Sequence, residues 1–173
     1  MARIIYKKGC EGQNWLESIE GIEIGLLNGQ RALIYPKYAE REMLKVEQIW
    51  NWDARVETEI KVLKVENTMC DTDELLEIGS PAAEWVKQFH SEKYGIFALP
   101  SLLAAMEIQD QKEDIDALAK TIEGADLLQN YTDFIWSCSR YSDKDWWVMG
   151  GHFGIAGGNS FYHSNLAVPT ILY

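Results

Sequence analysis

The stretch that decides the fold is FIWSCSRYSDKDWWVMGGHFGIAGGNSFYHSNLAVPTIL, Phe134 to Leu172. It is rich in aromatic and β-branched residues. Two clusters of turn formers interrupt it, Ser142-Asp143-Lys144 and Gly157-Gly158-Asn159. The pattern predicts three strands, FIWSCSRY, DWWVMGGHFGI and SFYHSNLAVPTIL, folded as a meander. Side chains alternate across a strand, so the last hairpin can be assigned two faces. A two-residue loop at Gly157-Gly158 places His152 opposite His163. A four-residue loop from Gly157 to Ser160 places it opposite Asn165. Both registers give the same faces. One holds Trp147, Met149, Gly151, Phe153 and Ile155 with Tyr162, Ser164, Leu166 and Val168. It is more continuously apolar and is expected to face the core. The other holds Trp146, Val148, Gly150, His152 and Gly154 with Phe161, His163, Asn165 and Ala167. Flat apolar bodies with polar handles suit a binding surface. The candidate ligand-binding residues are Trp146, His152, Phe161, His163 and Asn165, with Tyr141 and Asp143 at the rim. A one-residue slip would exchange the faces. Trp136 and Trp147 are read as core.

Before this stretch the chain reads as helices. Ser80 can cap, Pro81 fits the first helical position, and Glu84 suits the positive end. Ala82, Trp85, Val86 and Phe89 form an apolar face. Pro100 breaks what precedes it, and Ser101 can cap LLAAMEI. A further helix over Lys112 to Ile122 carries Ile115, Leu118, Ala119 and Ile122 at helical spacing, and Gly124 is a natural stop. Asp110, Glu113, Asp114 and Asp116 read as a cluster on one helix that forms a solvated face. Residues 66 to 79, ENTMCDTDELLEIG, read as a solvated acidic loop without EF-hand spacing.

The first part of the chain is mostly strand-like. Asn28-Gly29 between Ile22–Leu27 and Arg31–Tyr35 is the strongest short hairpin signal. Val56, Thr58, Ile60 and Val62 alternate with charged residues as a half-exposed strand would. Met43, Val46, Ile49 and Trp50 fall at helical spacing. The order is strands, then helices, then strands, which predicts α+β. Residues 1–79 form a mainly β segment expected to belong to the same domain as 80–173.

Composition narrows the function classes. The chain has 173 residues, 47% hydrophobic and 25% charged, with a net charge of −11. That is ordinary globular usage with one sizeable core. The acidity argues against nucleic acid and against an anionic membrane surface. No apolar run reaches the ~18 residues of a membrane span, and no signal peptide is read at Met1. A cytoplasmic or virion-associated location is expected. Cys10, Cys70 and Cys138 are odd in number and lack CxxC spacing, so reduced thiols are expected. GxSxG, HExxH and GxxxxGK[ST] are all missing from the sequence. His152 and His163 would hold a metal only with a third ligand, such as Asp145 or His90, which the sequence does not force. Neither a cofactor nor a metal is expected.

The run from Ser80 to Tyr173 resembles a bacterial and prophage domain family also found at the C-terminus of collagen-like adhesins. The matching pieces are SPAAEW from Ser80, ALPS from Ala98, IEGADL from Ile122, WSCSRYS from Trp136 and AVPTIL from Ala167. The chain departs from the family pattern at Cys138, where a Ser is usual. It departs again at Val168, where an Arg precedes the terminal Pro, and at Phe97-Ala98, which lack the common Trp. The resemblance implies a C-type-lectin-like fold, with two helices packed on antiparallel strands and a C-terminal meander. It also implies a ligand surface on the last strands and their loops, as in the variable proteins of diversity-generating retroelements. NSFYHSN, Asn159 to Asn165, contains only residue types that pyrimidine-ending triplets can encode, which is similar to the diversified segments of those proteins. The expected function is non-enzymatic binding of a protein or carbohydrate surface ligand, as a phage receptor-binding or adhesin component. The alternative is an intracellular assembly protein that oligomerises through the same aromatic face. A metal-dependent enzyme ranks third.

Overall fold

The computed structural model describes residues 2–44, 68–131, 134–140, 145–150, 155–160 and 163–173. The strand expected through Val56 to Val62 lies outside them, as does most of the helix expected through Met43 to Trp50.

The Asn28-Gly29 hairpin forms, with β2 (Ile19–Gly25) antiparallel to β3 (Arg31–Ile34). Its loop is one residue longer than the two-residue turn that Asn-Gly most often signals. Gly29 N–H donates to the Leu26 carbonyl at 3.0 Å, and Leu26 N–H donates to Gln30 at 2.9 Å. Gly29 sits at φ +85°, the left-handed position of a bulged three-residue loop. The Asn28 carboxamide oxygen accepts from Gln30 N–H at 3.0 Å and steadies the turn.

Two sheets organise the molecule, and each takes a strand from the far end of the sequence. β1 (Arg3–Tyr6), β2, β3 and β11 (Thr170–Leu172) form a four-stranded sheet in the order β1-β2-β3-β11. β4 (Ala39–Glu42), β7 (Phe134–Arg140), β8 (Asp145–Gly150), β9 (Ile155–Ser160) and β10 (Ser164–Ala167) form a second, ordered β4-β10-β7-β8-β9. β7, β8 and β9 form a meander, but its third strand is Ile155–Ser160 rather than the expected SFYHSNLAVPTIL. β10 leaves it, running antiparallel to β4 and parallel to β7. Pro169 stands where the chain passes from one sheet to the other. It has no N–H to give a ladder, so a strand break is natural there.

Four helices are described: α1 (Thr68–Glu77), α2 (Pro81–Val86), α3 (Leu102–Asp110) and α4 (Lys112–Ala119). Both serine caps form as read. Ser80 Oγ accepts from Ala83 N–H, and Ser101 Oγ from Ala104 N–H, each at 3.2 Å. Gly124 takes φ +85° beyond α4.

The main core lies between the sheets. Ile22, Ile24, Ala32 and Ile34 from the first meet Ile135, Met149 and Leu166 from the second, with Ala105, Ile108, Ile115 and Ala119 of α3 and α4. A second core lies beyond the five-stranded sheet. There Trp136, Cys138, Val148 and Ala167 pack under Leu75 of α1 and Ala82, Ala83 and Val86 of α2. The acidic stretch read as a loop is therefore largely helix α1. Its buried Thr72 hydroxyl accepts from Leu99 N–H at 2.9 Å. The architecture is α+β, with the five-stranded sheet as an inner layer.

Candidate functional site

The inner position of that sheet decides what its residues can do. The face expected to be an open surface is instead covered by α1 and α2: Val148 and Ala167 are buried there, and Asn165, read as a surface ligand group, is only 3% exposed. The expectation failed because α1 was taken for a loop, and the helix read from Ser80 carried no signal of which sheet face it covers. Trp136, read as core, is fully buried, and its indole N–H donates to the Arg41 carbonyl at 2.7 Å.

The hairpin geometry is also corrected. Gly157, Gly158 and Asn159 do not turn. They lie inside β9, opposite Val148, Trp147 and Trp146 of β8. Glycine marks close backbone approach as well as turns, and the sequence signal is the same for both. β8 pairs with β7 and β9, and β10 with β4 and β7, so the expected pairing of β8 with the last strand is not found among the described residues. Asn165 stands opposite Arg41 of β4.

The candidates now fall into three groups. Trp146 has its backbone in β8, opposite Arg140 at the last residue of β7. Asn165 precedes Leu166, which pairs beside Ile135 near the first residue of β7. Those two therefore sit at different levels of the sheet. His163 is exposed just before β10. Tyr141, Asp143, His152 and Phe161 lie outside the described residues.

Sequence reasoning missed a polar constellation on the outer face of the four-stranded sheet. Ile22 and Ile24 point into the main core, so Glu23 between them points the other way. Its carboxylate is 4% exposed. One oxygen accepts from Arg3 Nε at 2.7 Å and from Arg31 Nη1, and the other accepts from the Tyr173 hydroxyl. Arg3 is directly opposite Glu23 in register, and Arg31 lies diagonally across β3. Burial pushes the Glu23 carboxyl up. Hydrogen bonds from Arg3, Tyr173 and Arg31 outweigh that and hold it below the usual carboxylate range. Burial and the bond to Glu23 raise the Tyr173 phenol. Tyr173 stacks on Tyr94 with ring centroids 4.4 Å apart, and Lys93 Nζ lies 4.8 Å from the centre of the Tyr94 ring. The Arg31 pairing had no usable signal, because the two-residue loop that Asn-Gly most often marks would shift the register by one and turn Arg31 to the other face. Arg3 had none either.

Other buried acids hold loops. Glu20 accepts from the Ser91 hydroxyl at 2.6 Å and Glu92 N–H at 2.9 Å. Asp116, read as part of a solvated face, is buried and accepts from Leu128 N–H at 2.7 Å and Gln129 N–H at 3.0 Å. Among the described residues, no group of three or more His, Cys, Asp or Glu is placed to hold a metal. No described helix is long and apolar enough to cross a membrane. Comparison of the chain with protein-family models, curated proteins and solved structures finds no match.

Proposed function

We propose that the chain is a non-enzymatic ligand-binding module with a C-type-lectin-like fold, acting as a receptor-binding or adhesin component of a phage or prophage. Its ligand is a carbohydrate or protein surface. The resemblance of residues 80–173 to the adhesin-associated domain family motivates the reading. The observation that carries it is the change at the start of β10. His163 and Ser164 are exposed, whereas Asn165 to Ala167 are buried in a strand held between β4 and β7. A rigid inner strand thus presents a polar lead-in, the usual arrangement of a recognition loop on a scaffold. In sequence, Tyr141, Asp143, His152, Phe161 and His163 all fall between the strands described for this sheet. Asn165 is left out of the surface. The structural use of Glu20, Glu23 and Asp116 supports the non-enzymatic half, since each of these acids is committed to hydrogen bonds that hold neighbouring chain.

The test is binding of the purified chain to immobilised bacterial polysaccharides and to whole bacterial cells. Trp146→Ala, Phe161→Ala and His163→Ala are each expected to weaken capture at least tenfold while circular dichroism stays unchanged. Wild-type capture in all three variants would overturn the surface. The second reading, assembly through the same region, rests on Phe134, an aromatic 40% exposed at the start of β7. Sedimentation showing an oligomer that Phe134→Ser dissolves would favour it.

A further inference from the structure

We propose that the outer face of the four-stranded sheet carries a second interaction surface, centred on Arg3 and Arg31, that takes a carboxylate-rich segment of a protein partner. It is independent of the surface on the other sheet.

Both guanidinium groups bond the same oxygen of Glu23. Two donors on one acceptor lie within about 6 Å of each other, because each bond is about 3 Å. Glu23 therefore acts as a clamp that fixes two cations side by side. Each guanidinium has five N–H donors in a planar fork. The bonds to Glu23 use Nε of Arg3 and Nη1 of Arg31, and the side chains remain 62% and 52% exposed. The forks are held from below and open to solvent above. Ordering two long side chains is usually part of the cost of binding, and here the fold has already met it.

The local charge is opposite to that of the molecule. Arg3 and Arg31 stand on one carboxylate, Glu23, and Lys93 lies over the neighbouring Tyr94 ring, in a chain whose net charge is −11. At about 0.1 M salt the screening length is about 10 Å, so an anion at this face feels the arginines more than the distant acids. A planar carboxylate matches the guanidinium fork. The stacked Tyr94 and Tyr173 supply an apolar plate beside the cations. Glutamate side chains have methylenes to lay on that plate, and a free phosphate ion has none. The exposure of both arginines fits an extended segment lying across the sheet better than a small enclosed ion.

The experiment is fluorescence anisotropy of a labelled polyglutamate peptide with the full chain at 0.1 M and 1 M salt. Binding is expected at the lower salt and is lost at the higher. Arg3→Ala and Arg31→Ala each weaken it at least tenfold. Both side chains are half exposed or more, so these variants keep the fold. Arg3→Lys with Arg31→Lys keeps the charge but loses the fork, and weakens binding several-fold. Tyr94→Ala weakens the peptide severalfold. Wild-type affinity in either alanine variant would overturn the proposal. So would displacement of the peptide by inorganic phosphate at equal concentration of anionic groups, since the site would then be one for free anions.

Discussion

The four-stranded and five-stranded sheets both turn one face to the main core, and they differ in what covers the other. The five-stranded sheet is roofed by α1 and α2, so its second face is apolar, with Trp136, Val148 and Ala167. The four-stranded sheet is only partly covered. Phe97 and the aromatics around β5 (His90–Ser91) and β6 (Gly95–Ile96) pack on Leu33 and Ile171, while Glu23 and its arginines occupy the rest. A face under helices must be apolar because an unpaired charge there costs several kcal/mol. At the boundary of such a cover a charge persists where partners reach it from the solvent side. The proposed surfaces follow the same division, one on the outer face of the four-stranded sheet and the other at the lead-in to β10.

The sharpest way to break this contrast is Trp136→Ala. It empties a fully buried site in the second core and removes the indole hydrogen bond to the Arg41 carbonyl. A loss of about 3–5 kcal/mol in urea denaturation is expected. A loss below 1 kcal/mol would mean that α1 and α2 do not roof the sheet tightly. Next comes Gly21→Ala in β2. Gly21 takes φ +154°, and a Cβ there would meet the Ile34 carbonyl oxygen at 2.7 Å. About 2–3 kcal/mol of destabilisation is expected. Thermal melts would show whether the four-stranded sheet tolerates the side chain.

Glu23→Gln probes the polar face itself. The discount for two half-exposed arginines brings the expected loss near neutral pH to about 1–2 kcal/mol. The pH dependence carries more information. The folded-state value of Glu23 is below its ordinary 4.5, so its contribution is complete above pH 4.5 and is lost as pH falls through the lower value. Denaturation midpoints measured downward from pH 6 should converge for the wild type and Glu23→Gln in that acid window. Parallel curves would show that Glu23 is not the linked group. The smallest effect compares the two faces of the five-stranded sheet directly. Ser80→Ala uncaps α2 on the outer side, and Ser101→Ala uncaps α3 on the inner side. Each should cost about 1 kcal/mol. Unequal costs would rank the two covers.

Much of this fold is legible locally and little of it at long range. The Asn28-Gly29 hairpin and the Ser80 and Ser101 caps announce themselves because their chemistry is completed within a few residues. Helix α1 does not, because the buried side chains described on it, Thr72 and Leu75, are set among acids. That omission contributed to misplacing the surface, because α1 packs with α2 on the face that was read as open. The insertion of β10 between β4 and β7 joins residues more than a hundred positions apart, and no local pattern specifies such a choice. Gly157-Gly158-Asn159 shows the limit from the other side, since a strong local signal yielded to strand pairing. The site residues were legible only as residue types. Their grouping depends on which faces the helices leave open.

The break at Pro169 has a consequence for how the molecule is made. β10 and β11 are separated by two residues but belong to different sheets, and each pairs with strands that precede residue 43. Neither sheet can close until residues 164–172 have left the ribosome. During synthesis the earlier strands wait with open edges, and residues 164–172 then zip both sheets almost together. Such late, non-local closure is slow by the standards of helical domains. It ties the assembly of one sheet to that of the other, so a lesion in either should arrest both.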